Sequence, residues 1–130
     1  MERRIKFLDI RRIRSVAFQG ERGAFSEQAA TQFFGRKIAT KPNPTFEDVF
    51  REVTKGKADS GIVPIENSLQ GSVVENYDLL LHYGLSIIGE VKLRIVHCLM
   101  ANRSTSLKTI RRVYSHPQAL AQCRSFLKRL

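Results

Sequence analysis

Apolar positions in the first part of the chain recur with two periods, which predict alternating strands and helices. Residues 15–19 alternate apolar and polar positions as a strand does, and the turn at 20–23 leads into a helix that should end at Gly35, with Ser26 as its cap. A short strand at 37–41 is expected next. The following elements are a turn at 42–44, the helix cap Thr45, a helix face of Phe46, Val49, Phe50 and Val53, and the closing Gly56.

A third strand, a polar loop and a third helix are predicted between residues 62 and 84. Ile62, Val63 and Ile65 form a short apolar run of the kind that a central parallel strand buries on both faces, and this strand should stop near Glu66.

The third helix has a capping box in its sequence, because Ser72 and Glu75 are three residues apart, and Gly84 should end it. Its predicted buried face consists of Val73, Val74, Tyr77, Leu80 and Leu81. The order of strands and helices up to this point calls for a parallel sheet with right-handed crossovers, which is an α/β fold.

The pattern changes after Gly84. Residues 85–91 and 93–100 have the character of two apolar strands with no helix between them, and residues 110–114 of a further strand. A final helix is predicted to open at 115–118, with proline in its first turn. Its buried stripe would consist of Leu120, Cys123, Phe126, Leu127 and Leu130. The chain therefore leaves one lobe and begins another.

Composition places the chain among globular domains of ordinary size. It has 130 residues, 42% of them apolar, and no apolar run approaches the roughly 20 residues of a membrane span. Cys98 and Cys123 lack the spacing of a disulfide framework or a zinc ribbon, and both are expected to be buried thiols. Since no signal peptide pattern opens the chain, the expected location is the cytoplasm.

The net charge of +10 is concentrated at the two ends of the sequence. Residues 1–14 carry a net charge of +4, residues 15–102 of −1, and residues 103–130 of +7 with no acidic residue. Basic ends without interleaved aromatic residues indicate a solvated or partner-facing surface, and not a nucleic-acid partner.

The candidate chemistry lies in the polar loop after the third strand, at Glu66, Asn67 and Ser68. Open α/β sheets bind ligands at the carboxyl ends of their strands, and free helix N–H groups nearby favour anions. The same residue types also form turns and caps, and the residues alone leave both interpretations open. The turn at 20–23 lacks the lysine of a P-loop and the third glycine of a dinucleotide site, so no nucleotide cofactor is expected.

Four stretches, in this order, resemble motifs of the prephenate dehydratases. They are GERGAFS at 20–26, a signature made of VPIENS at 63–68 with GS at 71–72 and NYDLL at 76–80, HCL at 97–99, and YSHPQALAQC at 114–123. The resemblance extends over residues 15–130 and includes arogenate dehydratases as close relatives. It implies a fold of the periplasmic-binding-protein type II kind, with two lobes and mainly parallel sheets.

In that fold, residues 1–14 would be a basic leader, residues 15–91 the first lobe, and residues 92–130 the start of a second lobe that is incomplete in this chain. The family's return segment with its Thr-Arg-Phe motif, and its ACT regulatory domain, have no counterpart in the 130 residues. The threonine of that motif is the expected proton donor and would lie beyond Leu130. The isolated chain is therefore expected to be inactive. Because its last helix would leave an apolar stripe uncovered, the chain is also expected to self-associate or to keep a loosely packed second lobe.

The resemblance implies decarboxylating dehydration of prephenate to phenylpyruvate in phenylalanine biosynthesis, with no metal or organic cofactor. The implied partners are a small substrate, prephenate or arogenate, and further copies of the chain in its complete form, with no nucleic acid and no membrane. The substrate-binding residues that it implies are Glu66, Asn67, Ser68, Ser115, His116 and Gln118.

Two alternatives qualify these expectations. Ser115 and His116 are neighbours without a nucleophile-elbow motif, so they do not form a nucleophile and its base, and a lone histidine at a strand end is more often structural. A non-catalytic module of the same fold that binds small anions is the competing function, and formation of phenylpyruvate distinguishes the two.

Overall fold

The computed structural model describes residues 9–69 and 71–130 and divides into two compact units, with the boundary after Leu93. The predicted leader at 1–14 lies largely outside the described residues, which contain its end as a short 3₁₀ helix, Ile10–Arg12. The first unit contains β1 (Ser15–Gln19), α1 (Phe25–Phe34), β2 (Ala39–Asn43), α2 (Phe46–Thr54), β3 (Ser60–Ile62), β4 (Glu66–Asn67), β5 (Gly71–Ser72) and α3 (Val74–Tyr83). The second unit, Arg94–Leu130, contains a 3₁₀ helix (Leu107–Thr109), α4 (Pro117–Gln122) and α5 (Arg124–Leu127).

The first unit is built on a parallel sheet with the strand order β2-β1-β3. Strand β1 lies in the middle because Val16, Ala17 and Phe18 form a continuous apolar run, and all three are completely buried. Val16 pairs with Thr40 of β2 on one side and with Ser60 of β3 on the other. The predicted α/β class with a parallel sheet is confirmed.

Helices cover both faces of this sheet. Val16 packs in a cluster with Ala30 of α1, whereas its neighbour Ala17 packs with Val49 of α2. Since successive side chains of a strand point to opposite faces, α1 and α2 lie on opposite sides of the sheet. Strand β3 approaches α2 closely at Gly61, where an added Cβ would lie 2.8 Å from Val49 Cγ1.

Hydrogen bonds at the amino-terminal end of the sheet join the beginnings of β1 and β3. The Asp59 carboxylate accepts from the backbone amides of Arg14 (2.8 Å) and Ser15 (2.9 Å) and from the Ser15 hydroxyl (3.1 Å), and Ser15 Oγ accepts from the Asp59 amide (3.1 Å). The amide of Arg14, followed by the hydroxyl and amide of Ser15, lowers the pKa of Asp59 below its usual range.

Two of the predicted strand boundaries are wrong. Strand β2 begins two residues late and includes Pro42, which pairs with Phe18, so residues 42 and 43 do not form the predicted turn. Proline is tolerated there because β2 is at the edge of the described sheet, where a missing N–H leaves no partner unpaired. Strand β3 stops at Ile62, and Val63 and Ile65 are only half-buried because β3 has a described neighbour on one side alone.

The helix ends were predicted better than the helix starts. Gly35 and Gly84 follow the last residues of α1 and α3, as predicted. Of the helix starts, the cap at Thr45 is confirmed, because Thr45 Oγ1 accepts from the Asp48 amide at 3.1 Å. Ser26 was predicted wrongly as a cap, because it lies inside α1, which begins after Ala24 without a side-chain cap. Ser72 is likewise not a cap, because it belongs to β5 and α3 begins two residues later.

The predicted inner face of α3 is only partly correct, since Val73 and Leu80 are half-buried but the other three residues are not. Val74, Tyr77 and Leu81 are exposed, at 64%, 41% and 82% of their surfaces, whereas the polar side chain of Asn76 is completely buried. The face of α3 that points inward is set by its packing against α2, and it carries Asn76, Leu80 and Tyr83, which are spaced at i, i+4 and i+7. Tyr83 stacks on Phe50 of α2.

The second unit differs most from the prediction. None of the three apolar segments predicted as strands, 85–91, 93–100 and 110–114, forms a strand, because a strand requires a hydrogen-bonded neighbour and no described segment pairs with them. The predicted single helix is divided at Cys123 into α4 and α5. Within its expected stripe, Phe126 and Leu130 are exposed, while the other three residues are half-buried.

Candidate functional site

The carboxyl ends of the three parallel strands form one edge of the first unit. The ends of β1 and β2 are joined there, since the Gly20 amide donates to Asn43 O at 2.9 Å and Gln19 Nε2 donates to Pro44 O at 3.3 Å. The chain leaves β1 towards α1, on one face, and leaves β3 towards α3, which packs against α2 on the other face. Strands whose connections diverge in this way leave a crevice between them, the usual ligand position in an open α/β sheet.

A short antiparallel hairpin, β4–β5, follows β3 at this edge. Glu66 pairs with Ser72 and Asn67 with Gly71, and the Val73 amide closes the base of the hairpin by donating to Ile65 O at 2.8 Å. This hairpin was not predicted. The sequence does contain a turn signal for it at Gly71, whose φ is 79°.

The three predicted residues Glu66, Asn67 and Ser68 lie together on this hairpin. Glu66 and Ser68 are exposed, and neither makes a side-chain hydrogen bond to another described residue. Asn67 is half-buried, and its Oδ1 accepts from the Leu69 amide at 2.9 Å, which is an Asx turn. Its two amide hydrogens are not used in that turn, so Asn67 is a turn former that retains two donors for a ligand.

The base of the hairpin is held by Asn76, which belongs to the family signature at 76–80 but was given no role from the sequence. Asn76 Nδ2 donates to the carbonyl of Pro64 at 2.7 Å. Its position in the sequence gave no signal for this contact, because the face of α3 that points inward is set by packing against α2.

The loop after β1 is ordered by Glu27, a second residue that the sequence did not single out. Its carboxylate accepts from the Gly23 amide and from Thr40 Oγ1, each at 2.6 Å, and Arg22 Nη1 lies 3.6 Å away. The hydrogen bond from Gly23, followed by that from Thr40, lowers the pKa of Glu27. An acidic residue in the first turn of a helix was the available signal, and its carboxylate holds the loop that leads into α1.

In the second unit, Ser115, His116 and Gln118 lie together around the start of α4, and all three are exposed. His116 Nδ1 accepts from the Gln118 amide at 3.3 Å, so His116 caps this helix, and Pro117 occupies its first turn as predicted. Ser115 also lines an open concavity of about 820 Å³, together with His97 and both cysteines.

Gln122 connects two of the motif segments in this unit and was also missed. Gln122 Oε1 lies 2.8 Å from His97 Nε2. Gln122 is one helical turn after the predicted site residue Gln118, and this spacing was the available sequence signal. Both cysteines are free thiols, and Cys98 is exposed, so the expected burial of Cys98 is wrong. No group of three or more histidine, cysteine or acidic side chains in the described ranges has the arrangement of a metal site.

Comparison with known proteins gives a consistent result. The family model described as prephenate dehydratase matches residues 16–130. The chain is 50% identical over 115 residues to an arogenate dehydratase/prephenate dehydratase 2, chloroplastic, of Arabidopsis thaliana, covering 88% of this chain and 30% of that protein. It is 44% identical over 117 residues to a bifunctional chorismate mutase/prephenate dehydratase of Escherichia coli strain K12, with the same coverages of 88% and 30%.

Among solved structures, the chain is similar to one named GqqA and described as a novel type of quorum quenching acylases. The TM-score is 0.78 and the identity is 37%, over 89% of this chain and 42% of that one. No helix in the described part of the chain is long and apolar enough to cross a membrane. The family match covers all four sequence motifs. The chain belongs to the prephenate dehydratase family.

Proposed function

We propose that this chain carries substrate-binding residues of an enzyme that converts prephenate to phenylpyruvate, or arogenate to the corresponding amino acid. In this reaction the ring loses its hydroxyl group as water and its carboxylate as carbon dioxide, and aromatisation drives the step. A protein that catalyses it has to hold an anion, supply a proton to the leaving hydroxyl and exclude water.

The observation that carries the proposal is the hairpin β4–β5 at the carboxyl edge of the sheet, inside the region that matches the family. The amide hydrogens of Asn67 and the hydroxyl of Ser68 are donors suited to a carboxylate or a hydroxyl of the substrate. Glu66 has the role of orienting the loop or a water molecule.

The second group of residues, Ser115, His116 and Gln118, is part of the same proposal. Ser115 and Gln118 supply a hydroxyl and an amide for a substrate carboxylate or hydroxyl. His116 orients the start of α4, which its hydrogen bond to the Gln118 amide supports.

An Asn67→Asp substitution separates the two roles of this side chain. Aspartate keeps the acceptor for the Leu69 amide and therefore the turn, but it replaces both donors with an anionic oxygen. The melting temperature of the 130-residue chain should change little, while the affinity for phenylpyruvate, measured by NMR titration, should fall by about ten- to hundredfold, which corresponds to a charge-assisted hydrogen bond.

The matched controls are two serines that are both exposed, Ser68 on the hairpin and Ser86 outside it. Ser68→Ala should weaken binding and Ser86→Ala should not. Unchanged affinity in Asn67→Asp would leave Asn67 as a turn former only. In the natural gene product that contains this chain, the same variants should reduce phenylpyruvate formation in the same order.

A second candidate function is acylase activity, which the similarity to the quorum-quenching acylase favours. It predicts release of an acyl group from an acylated signal molecule and no phenylpyruvate from prephenate. Both assays on one preparation of the natural protein distinguish these functions, and a protein that binds phenylpyruvate but passes neither assay would be the non-catalytic anion-binding module.

Two further properties belong to the proposal. A cytoplasmic location is supported by the two free cysteines, which fit a reducing compartment, and fractionation of cells tests it. Self-association is supported by exposed apolar side chains in the second unit, among them Met100 at 87% and Tyr114 at 82%.

A further inference from the structure

The polar side chain of Asn76 is buried at a position where an amphipathic helix normally buries an apolar one. Asn76 has no exposed surface, and its Oδ1 has no hydrogen-bond partner among the residues that the structure describes. A buried amide with an unpaired acceptor is less favourable than an apolar side chain of similar size. Apolar packing therefore does not explain why asparagine occupies this position. The explanation is the one hydrogen bond that its side chain makes.

That bond reaches the chain between β3 and the hairpin. Asn76 Nδ2 donates to Pro64 O at 2.7 Å, and the next carbonyl, Ile65 O, accepts from the Val73 amide at 2.8 Å. Pro64 lies beyond the end of β3, so its carbonyl is not part of the sheet ladder. Two consecutive carbonyls are thus held by residues at the start of α3, directly at the base of β4–β5.

The position of the hairpin depends on these two bonds. Each hairpin strand has only two residues, so its own pairing fixes its shape but not its direction relative to the sheet. The hydrogen bond from the Val73 amide to Ile65 O closes the base of the hairpin. The hydrogen bond from Asn76 Nδ2 to Pro64 O attaches the segment between β3 and β4 to α3.

We propose that Asn76 is a positioning residue that sets the direction of the hairpin and, through it, the place of Asn67 and Ser68 relative to the ligand. The ligand part of this inference rests on the function proposed above. The positioning part rests on the contacts of Asn76 alone, and the two parts are tested separately.

Asn76→Leu removes the donor to Pro64 and fills the space with an apolar side chain of similar size. In the 130-residue chain, hydrogen exchange measured by NMR should show the Val73 amide exchanging about tenfold faster relative to the Ala17 amide of β1. The melting temperature should stay the same or rise, because the unpaired buried acceptor is gone. Leu80→Ala, at a half-buried position on the same helix, is the control. It should lower the melting temperature and leave the ratio of the two exchange rates unchanged.

An unchanged exchange ratio in Asn76→Leu would overturn the proposal, and so would a lower melting temperature with both amides exchanging faster together. Phenylpyruvate titration gives the second readout, and the variant should bind about tenfold more weakly than the wild type. Equal affinities would refute positioning of the ligand site. If phenylpyruvate causes no shift in the wild-type hairpin, the proposed function fails, and the exchange ratio still decides the role of Asn76.

Discussion

The contact between Gly61 of β3 and Val49 of α2 determines how closely this helix can lie on the sheet. A Cβ added at Gly61 would lie 2.8 Å from Val49 Cγ1 and 3.3 Å from Val53 Cγ2. Carbon atoms in favourable contact are roughly 3.5 to 4.0 Å apart, so the alanine methyl overlaps a side chain that is only 1% exposed. Gly61→Ala therefore forces α2 away from the strand that leads into the hairpin.

The size of the effect follows from two opposing terms. Overpacking in a well-packed core costs about 1 to 3 kcal/mol, and replacement of glycine by alanine returns about 0.4 to 1 kcal/mol through the unfolded chain. The free energy of unfolding should thus fall, by at most about 2.6 kcal/mol and by about 1.3 kcal/mol at the middle of both ranges. Val49→Ala alone should cost about 1 to 3 kcal/mol, because two buried methyl groups are lost.

The double variant Gly61→Ala/Val49→Ala tests the geometry, because the new methyl occupies the space that the valine methyl leaves. Its loss should be smaller than the sum of the two single losses by about 1 kcal/mol or more. Urea unfolding followed by far-ultraviolet circular dichroism measures all four chains.

The matched control pairs Val49→Ala with Gly89→Ala, because a Cβ at Gly89 would meet the ring of Phe33 on α1, on the other face of the sheet. Those two losses should add to within about 0.5 kcal/mol. Additive losses for Gly61→Ala and Val49→Ala would refute the contact as the reason for the glycine.

Three further predictions concern stability and association. Hydrogen bonds at the start of β1 lower the pKa of Asp59, so its contribution to stability is present above the unfolded pKa and is lost as the pH falls through the folded pKa. Asp59→Asn should therefore melt at a lower temperature than the wild type at neutral pH, and this difference should shrink in acid. A difference that stays constant with pH would contradict this. Tyr83→Phe removes a 3.0 Å hydrogen bond to Glu47 but keeps the stacking on Phe50, so it should cost less than about 1 kcal/mol in urea unfolding, against about 3 kcal/mol or more for Phe50→Ala. The chain should self-associate in light scattering, and Met100→Lys should reduce the apparent mass, whereas an unchanged mass would exclude this surface from the contact.

Local patterns were sufficient where a segment and its partners are close in sequence. Strand β1 and the cap at Thr45 were predicted because alternation and capping depend on a few neighbouring residues. The start of α3 was missed because Ser72 is occupied by pairing with Glu66, a contact that the capping pattern does not contain. The inner face of the helix was also partly misassigned, because the choice of face depends on packing against α2, and Asn76 was therefore not recognised as a buried residue.

The same reasoning explains the result in the second unit. Apolar residues at 93–100 and 110–114 correctly indicate segments that favour burial, but a pattern of apolar residues does not state which strand they pair with. No described segment pairs with them, and most of their side chains are exposed. Gln122 was missed for a related reason, because its contact with His97 joins segments 25 residues apart in the sequence.

The choice between turn former and ligand contact, which the sequence left open for Asn67, is not a choice between exclusive roles. An asparagine side chain has one acceptor oxygen and two donor hydrogens, and the Asx turn at Leu69 uses only the oxygen. In Asn76 the two ends of the amide have the opposite roles: Nδ2 donates to Pro64 O, and Oδ1 has no hydrogen-bond partner in the described part of the chain. A hairpin with two-residue strands has too little backbone pairing to fix its own direction, and the two amides supply the missing constraints, one at its tip and one at its base. In the function proposed above, Asn67 therefore binds the anion with its two donor hydrogens while its oxygen gives the loop a defined shape.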